Sequence, residues 1–331
     1  MKILITGGTG FLGRHVVWRM AAEGHDVIFT GRDASAADLV ISHCVAPVKW
    51  HAIEHGSASA KSILINAAKE VDAIVHCAAL SSPWGSMNEF ICANVDSTVE
   101  VLAAGEAAGI NRLVHISTPS VYFDFRHRID IKESEILPEP VNNYARTKAQ
   151  AEQLVMASKI QSVVLRPRAL FGPWDNTLMP RLLRVMEHGP IPLINGGKAV
   201  MDITYIDNVV DAIYLALTQP LKRSCSVYNL SNGEPLAFVD LLEKLATHFK
   251  LPLRTQKMPW SVVDATARLF ELYARVTHAK EPLITRYSAG VLAFSQTLDI
   301  SAICDELGYS PKVSIDEGIK RHAAWYAENR E

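Results

Sequence analysis

The sequence predicts an α/β protein, built as a doubly wound parallel sheet with a smaller mixed α+β domain. Three observations carry that expectation. Met1–Thr6 reads as a short buried strand that runs straight into a glycine-rich turn and an apolar helix. Apolar strands and helical stretches then alternate through the first half, the rhythm of βαβ units. The second half mixes short strands and helices without that rhythm. With 331 residues, 49% of them hydrophobic, the chain can bury a large core and is long for one simple domain. We place the first domain at 1–171 and the smaller one mostly at 172–331, with part of 199–230 returning to the first.

The turn Gly7-Gly8-Thr9-Gly10-Phe11-Leu12-Gly13 fits G-x-G-x-x-G through Gly8, Gly10 and Gly13, and a looser G-x-x-G-x-x-G through Gly7, Gly10 and Gly13. A tight turn, close approach of a pyrophosphate to the backbone and tight helix-on-strand packing all demand the absence of Cβ. The free N–H groups and positive dipole end of the following helix complete an anion site. A strand before the turn and Val16-Val17-Trp18 with Met20-Ala21 after it supply the context of a Rossmann dinucleotide fingerprint. Glycine spacing alone is weak; this setting makes it strong.

Val27–Thr30 reads as the second strand, ending in Thr30-Gly31-Arg32-Asp33. A carboxylate at this point favours NAD, and an arginine accommodates the 2′-phosphate of NADP. Asp33 sits beyond the expected strand end, so Arg32 is the better candidate and NADP is preferred over NAD; a plain solvated loop charge is the bland reading. Residues 34–70 are less regular, with strand character at Cys44–Val48 and a helical run near Ser59–Ala68. Val71–Leu80 is a further buried strand running into small residues, where Ala78 and Ala79 let a ligand lie close to the backbone. His76 within it reads as a packed core histidine. Ser81-Ser82-Pro83-Trp84-Gly85 is a loop at the carboxyl end of that strand, where open α/β sheets place ligands. Trp84 is either a pocket wall or a packing residue. Asn94–Ala108 has helical spacing, closed by Gly109, and Arg112–Thr118 is a strand ending in the hydroxyls of Ser117 and Thr118.

Asn142-Asn143-Tyr144-Ala145-Arg146-Thr147-Lys148 opens a helix that runs to Met156, which puts Tyr144 and Lys148 on one face. A phenol titrates near pH ~10. A neighbouring ammonium favours the phenolate and suits the pair to general acid–base work. A tyrosine four residues before a lysine is common by accident. Behind a glycine fingerprint and a strand ending in hydroxyls it becomes specific.

These elements together resemble the extended branch of the short-chain dehydrogenase/reductase superfamily, of the NAD(P)-dependent epimerase/dehydratase type, over most of the chain. The resemblance rests on Thr6–Gly13, His76–Leu80, Asn94, Ser117-Thr118 with Val121-Tyr122, Tyr144 with Lys148, and Leu165-Arg166-Pro167. It implies Tyr144 as acid/base, Lys148 as the residue that holds the nicotinamide ribose and tunes the tyrosine, and Thr118 as the hydroxyl on the reacting oxygen. It also implies cofactor contacts at Gly7, Gly10, Phe11, Leu12 and Gly13, then at Cys77, Ala78 and Ala79, and at Asn94, Ser117 and the backbone of Pro167. Ser81, Trp84 and Thr118 would face substrate. A homodimer through two helices per subunit is a further implication. Two departures stand out. Val48-Lys49-Trp50-His51-Ala52 lacks the Gly-Asp pair that reaches adenine, and Pro119-Ser120 replaces the acidic pair of dehydratases, which speaks against sugar dehydration.

Gln161–Arg166 is the expected sixth strand. Helices follow at Leu178–Glu187, Val209–Leu217 and Leu236–Phe249, with strands at Ala199–Tyr205 and Val227–Leu230. Relatives of this kind return Asp207-Asn208 to the domain junction. Trp260–Ala279 is apolar on one face, which normally marks a core helix; exposed, it would cap an apolar pocket or touch a membrane surface. That stretch, with Glu281–Arg286 and Glu306–Pro311, is similar to the 3β-hydroxysteroid-dehydrogenase-like branch, which includes reducers of bulky apolar ketones. The expected activity is therefore NAD(P)-dependent interconversion of a secondary alcohol and a ketone on a bulky apolar substrate. Sugar-nucleotide epimerisation is the alternative, with Arg181, Arg184 and Lys198 as diphosphate ligands or plain surface charges. A non-catalytic cofactor sensor is the remaining class.

The net charge of −2 gives no basic footprint for nucleic acid. Five cysteines without C-x-x-C spacing argue for a reducing compartment and against zinc or disulfides. No apolar run reaches the roughly 18 residues of a membrane span, and a glycine turn interrupts any signal-peptide core. A cytoplasmic protein with a small-molecule substrate and no metal is expected.

Overall fold

A computed structural model describes residues 1–57, 59–277, 282 and 284–329. Seven parallel strands form the main sheet in the order Cys225–Leu230, Ser162–Pro167, Arg112–Ile116, Ala73–His76, Lys2–Thr6, Asp26–Gly31 and Lys49–Ala52. Both faces are covered by helices, so the strands read as apolar runs rather than alternations. One core gathers Ile3, Ile5 and Phe29 with Val16, Val17 and Met20 of the first helix; the other gathers Leu4, Ile74 and Val164 with Leu64, Val101 and Val155. Chain order reverses between Lys2–Thr6 and Ala73–His76, and the glycine turn lies at that switch point.

The chain crosses between the two layers more than once. The strand Cys225–Leu230 pairs with Ser162–Pro167, and the helix Ile206–Thr218 places Val209, Ile213 and Ala216 in the same core as Val16 and Val17. In the other direction, Arg128–Ile131 joins Gln296–Leu298, Val200–Met201 and Leu236–Ala237 in a small four-stranded sheet. A third core, with Leu183, Met186, Leu241, Leu242 and Ile319, holds the smaller domain.

Several expected elements shift. The third strand is Lys49–Ala52, not Cys44–Val48. The helix Ala34–Ser42 runs on until His43 and Cys44 bond back to its last carbonyls, so pairing with Ile28–Gly31 starts only at Lys49. The expected strand 199–205 is two short strands with different partners, split at Asp202, whose carboxylate takes the Leu298 N–H at 2.7 Å. The helix expected from Asn94 begins as a π-turn over Ile91–Asp96 and becomes α-helical at Ser97–Ala108. Gly109 closes it at φ 69°.

The helix Trp260–Thr277 is not a core helix. Only Val263, Ala267 and Ala274 are buried, while Leu269, Leu272, Tyr273 and Val276 are exposed. Its buried flank carries polar groups instead: Asp264 and Glu271 both bond Arg286. The end of that expected helix, 278–279, lies outside the described residues, as do Glu281 and Leu283 of the similar segment.

Candidate active site

The turn after Lys2–Thr6 fits a dinucleotide on geometric grounds. Gly7 has φ 69°, and a Cβ there would stand 2.8 Å from the Ala78 backbone. A Cβ on Gly13 would stand 2.1 Å from the Gly7 carbonyl oxygen. The two strand ends therefore close on each other only because these residues are glycine. Gly10 caps the helix Phe11–Ala22 without a side-chain hydrogen bond, which leaves backbone N–H groups of its first turn for an anion. The Thr6 hydroxyl ties the two strands together, 2.7 Å from His76 Nδ1 and accepting the Ala78 N–H at 3.3 Å. His76 bonds Thr98 through Nε2, and burial holds its pKa far below the ordinary value: it is a neutral core histidine. Burial also pushes the Cys77 thiol up to about 12, so Cys77 offers backbone and bulk rather than a thiolate.

Arg32 is exposed just past the strand Asp26–Gly31. Asp33 is spent locally, since its carboxylate caps the next helix by accepting the Ala36 N–H at 3.1 Å. A carboxylate engaged in a cap is a poorer ribose ligand than a free one.

Asn142 starts the helix Asn143–Ala157 by accepting the Ala145 N–H at 2.8 Å. Asn143 donates to the Gly85 carbonyl at 3.2 Å, which fixes the Trp84 loop against the helix. Tyr144 lies in the first turn, and the hydroxyls of Ser81 and Thr118 are near enough to favour its ionised form. Thr118 donates to Ser120 Oγ at 2.9 Å, and Ser120 Oγ is 2.5 Å from the Tyr287 hydroxyl. A chain of hydroxyls thus runs from Ser81 through Tyr144, Thr118 and Ser120 to Tyr287. Burial raises the Tyr144 pKa, and the two neighbouring hydroxyls oppose that rise.

Lys148 is 2% exposed, and its ammonium donates to the Ile116 carbonyl at 2.6 Å. Burial brings its pKa down to about 8, against the pull of Glu152 and Cys77. The ammonium thus anchors the strand end that carries Ser117 and Thr118, one helical turn below the tyrosine. The Ser117 hydroxyl bonds Glu152, which pairs with Arg166 at 2.9 Å through Nε, and Arg166 reaches the Tyr122 hydroxyl. Ser117 is committed to this buried network. Asn94 accepts the Leu80 N–H at 2.7 Å and donates to Thr147 Oγ1 at 3.0 Å, so it joins the Ala78–Leu80 segment to the tyrosine helix. Its place in a π-turn, a distortion common at functional sites, aims it at both.

Beside this cluster opens a cavity of about 250 Å³. Trp84, Phe90, Phe125, Asn143, Glu271 and Tyr287 are among its walls, and the Arg275 guanidinium lies 5.7 Å over the Trp84 ring. Ser120 and Tyr287 escaped sequence reasoning: 167 positions separate them, and neither carries a motif. Among the described residues no group of three or more metal ligands occurs, and no helix is long and apolar enough to cross a membrane.

The model of the NAD dependent epimerase/dehydratase family matches residues 3–231. The chain belongs to that family. Its sequence relatives carry the resemblance further. YbjS of Escherichia coli, a protein without an assigned activity, is 37% identical over 99% of this chain and 98% of its own. A 2-alkyl-3-oxoalkanoate reductase of Stenotrophomonas maltophilia is 33% identical over 97% and 98%. The sterol-4-alpha-carboxylate 3-dehydrogenase ERG26 of Saccharomyces cerevisiae is 30% identical over 99% and 98%, in line with the 3β-hydroxysteroid-dehydrogenase-like resemblance. Among solved structures, a UDP-glucose-4-epimerase from Stenotrophomonas maltophila superposes with a TM-score of 0.79 at 19% identity, covering 99% of this chain and 98% of that one, which establishes the shared fold. This member of the epimerase/dehydratase family is an NAD(P)-dependent oxidoreductase of the extended short-chain type.

Proposed function

We propose that the protein interconverts a secondary alcohol and a ketone on a bulky apolar substrate, with NADP preferred over NAD. The observation that carries this reading is the pair of hydroxyls, Ser81 and Thr118, converging on Tyr144 beside the cavity. In the reducing direction Tyr144 gives its proton to the substrate oxygen, while Thr118 hydrogen-bonds the alkoxide as charge develops there. The raised pKa keeps Tyr144 protonated and ready to donate. Lys148 stabilises the phenolate left behind, and the hydroxyl chain through Ser120 and Tyr287 offers a path along which the proton is restored. When bound, the nicotinamide supplies or takes up the hydride.

The residues that would hold the dinucleotide are the turn Gly7–Gly13 with the N–H groups of Phe11 and Leu12, Arg32 at the 2′-phosphate, and Cys77–Ala79 against the diphosphate and ribose. Lys148 would hold the nicotinamide ribose and Pro167 would flank the ring, while Asn94 would keep the helix and the Ala78–Leu80 segment in register. The relatives named as a 2-alkyl-3-oxoalkanoate reductase and a sterol dehydrogenase support a bulky apolar substrate. The cations considered for a sugar-nucleotide diphosphate, Arg181, Arg184 and Lys198, are not among the residues that line the cavity, which favours the ketone reading over epimerisation.

A screen of NADPH and NADH oxidation against bulky apolar ketones, beside an assay for UDP-sugar epimerisation, tests this. Ketone-dependent NADPH consumption is expected. Epimerisation without net cofactor turnover would reverse the assignment.

A further inference from the structure

Arg168 follows Pro167 at the exit of the strand Ser162–Pro167 and is 5% exposed. Its backbone is clamped: the N–H donates to the Leu230 carbonyl at 3.0 Å and its carbonyl accepts the Thr204 hydroxyl at 2.5 Å. The next residue, Ala169, is held at φ 44°, a left-handed conformation rare for alanine. A clamped backbone fixes where the side chain goes. Yet Nε and Nη2 of this buried guanidinium have no hydrogen-bond partner. Buried donors of a charged group are almost always answered, and leaving them empty is costly.

Nearby groups do not answer it. Asp202 acts on Arg168 through space, but its carboxylate is engaged by the Leu298 N–H and the Ser231 hydroxyl. The two arginines at the cavity are already paired, Arg286 with Asp264 at 2.6 Å and Arg275 with Glu271 at 3.7 Å. Arg168 is not itself among the cavity's walls, but Tyr287, which is, acts on it through space. Tyr287 also bonds Ser120 of the hydroxyl chain and lies within electrostatic range of Tyr144.

We propose that Arg168 binds a carboxylate on the carbon next to the reacting one, which makes the substrate a 3-oxo or 3-hydroxy carboxylate with an apolar remainder. The proposal rests on the alcohol–ketone reading and narrows it. A guanidinium presents parallel N–H donors that match a carboxylate in planar, forked geometry. Held there, the carboxylate fixes the adjacent carbon and so aims the carbonyl oxygen at Thr118 and Tyr144. The names of two relatives share this arrangement: a 2-alkyl-3-oxoalkanoate, and a sterol bearing a 4-carboxylate and oxidised at carbon 3. A site built to hydrogen-bond a charged group discriminates strongly against an analogue that lacks it, because the buried donors are then left empty.

The test compares a 2-alkyl-3-hydroxyalkanoate with its methyl ester, oxidised by the whole protein with NADP. Calorimetric binding of the acid to the protein–NADP complex gives a second readout, independent of turnover. The wild type is expected to prefer the acid by roughly 10–100-fold in kcat/KM, the range a hydrogen-bonded charge supplies. Arg168→Met is expected to bring the acid-to-ester ratio close to one and abolish the calorimetric signal, with dinucleotide affinity retained. Arg168→Lys, which keeps the charge without the fork, is expected to keep part of the preference. Equal use of acid and ester by the wild type overturns the carboxylate assignment while leaving the alcohol–ketone reading in place. Equal losses on both substrates in Arg168→Met, together with weakened dinucleotide binding, overturn it in favour of a cofactor role. Failure of the wild type to oxidise either compound and to bind the acid overturns the carboxylate assignment, and the alcohol–ketone reading falls with it only where the ketone screen also shows no turnover.

Discussion

The Asn94 carboxamide donates to the Thr147 hydroxyl at 3.0 Å while accepting the Leu80 N–H at 2.7 Å. One buried side chain therefore sets the distance between the segment expected to carry the dinucleotide and the helix that carries Tyr144 and Lys148. Asn94→Ala leaves the Leu80 N–H and the Thr147 hydroxyl short of a partner, at about 1–3 kcal/mol. A lowered kcat is expected with a smaller change in the KM for dinucleotide, since the glycine turn is untouched. Steady-state kinetics and urea unfolding check both parts.

Tyr144→Phe removes the proton donor and leaves the ring in place. Turnover is expected to vanish while dinucleotide affinity stays nearly intact. Steady-state activity equal to wild type would remove the acid/base role.

Burial places the Lys148 pKa at about 8, below the ordinary 10.5. The ammonium is thus present below about pH 8 and lost above it. Tyr144 shifts upward and stays protonated through this range, so it adds no limb there. kcat/KM for ketone reduction is expected to fall as pH rises through about 8. For stability the sign is opposite: a depressed lysine pKa contributes stability that is complete above pH 10.5 and lost as pH falls through about 8. In Lys148→Arg, whose charge persists, the kinetic limb should be absent from whatever activity remains; a pH–rate profile decides.

Glu152 and Arg166 form a buried ion pair, 0% and 3% exposed, shared with Ser117 and Tyr122. Removing one partner strands the other charge. Glu152→Ala is expected to destabilise the fold by about 3–5 kcal/mol, visible as a lower urea midpoint.

Arg32→Ala is expected to weaken NADPH binding more than NADH binding, since only the former carries the 2′-phosphate. Fluorescence titration of both dinucleotides reads the difference; equal losses would remove that role.

Much of this fold could be read from local patterns. Strand, glycine turn and helix are contiguous at Met1–Ala22, and the helix with Tyr144 and Lys148 announces itself by spacing. What escaped reading depends on distant contacts. The strand Lys49–Ala52 is polar and lies at a sheet edge, so apolar pattern pointed instead to Cys44–Val48. Ser120 and Tyr287 meet only in the folded chain, Tyr287 being carried by the helix Arg286–Ala293. Arg168 left one legible sign, a second charge among Leu165, Pro167, Ala169 and Leu170 where a strand leaves the core. The exposed face of Trp260–Thr277 could not be told from a core face by periodicity, because both give the same stripe.

The cavity has two kinds of wall. Trp84, Phe90 and Asn143 belong to the loop and helix fastened to the sheet, whereas Glu271, Arg275, Arg286 and Tyr287 come from one uninterrupted stretch of chain. Selection can therefore rewrite one side of the chamber by altering that stretch, Tyr287 excepted because it also ends the hydroxyl chain, while the proton-handling side keeps its register. Substrate range in this lineage is then free to drift as a single cassette, with the chemistry inherited unchanged.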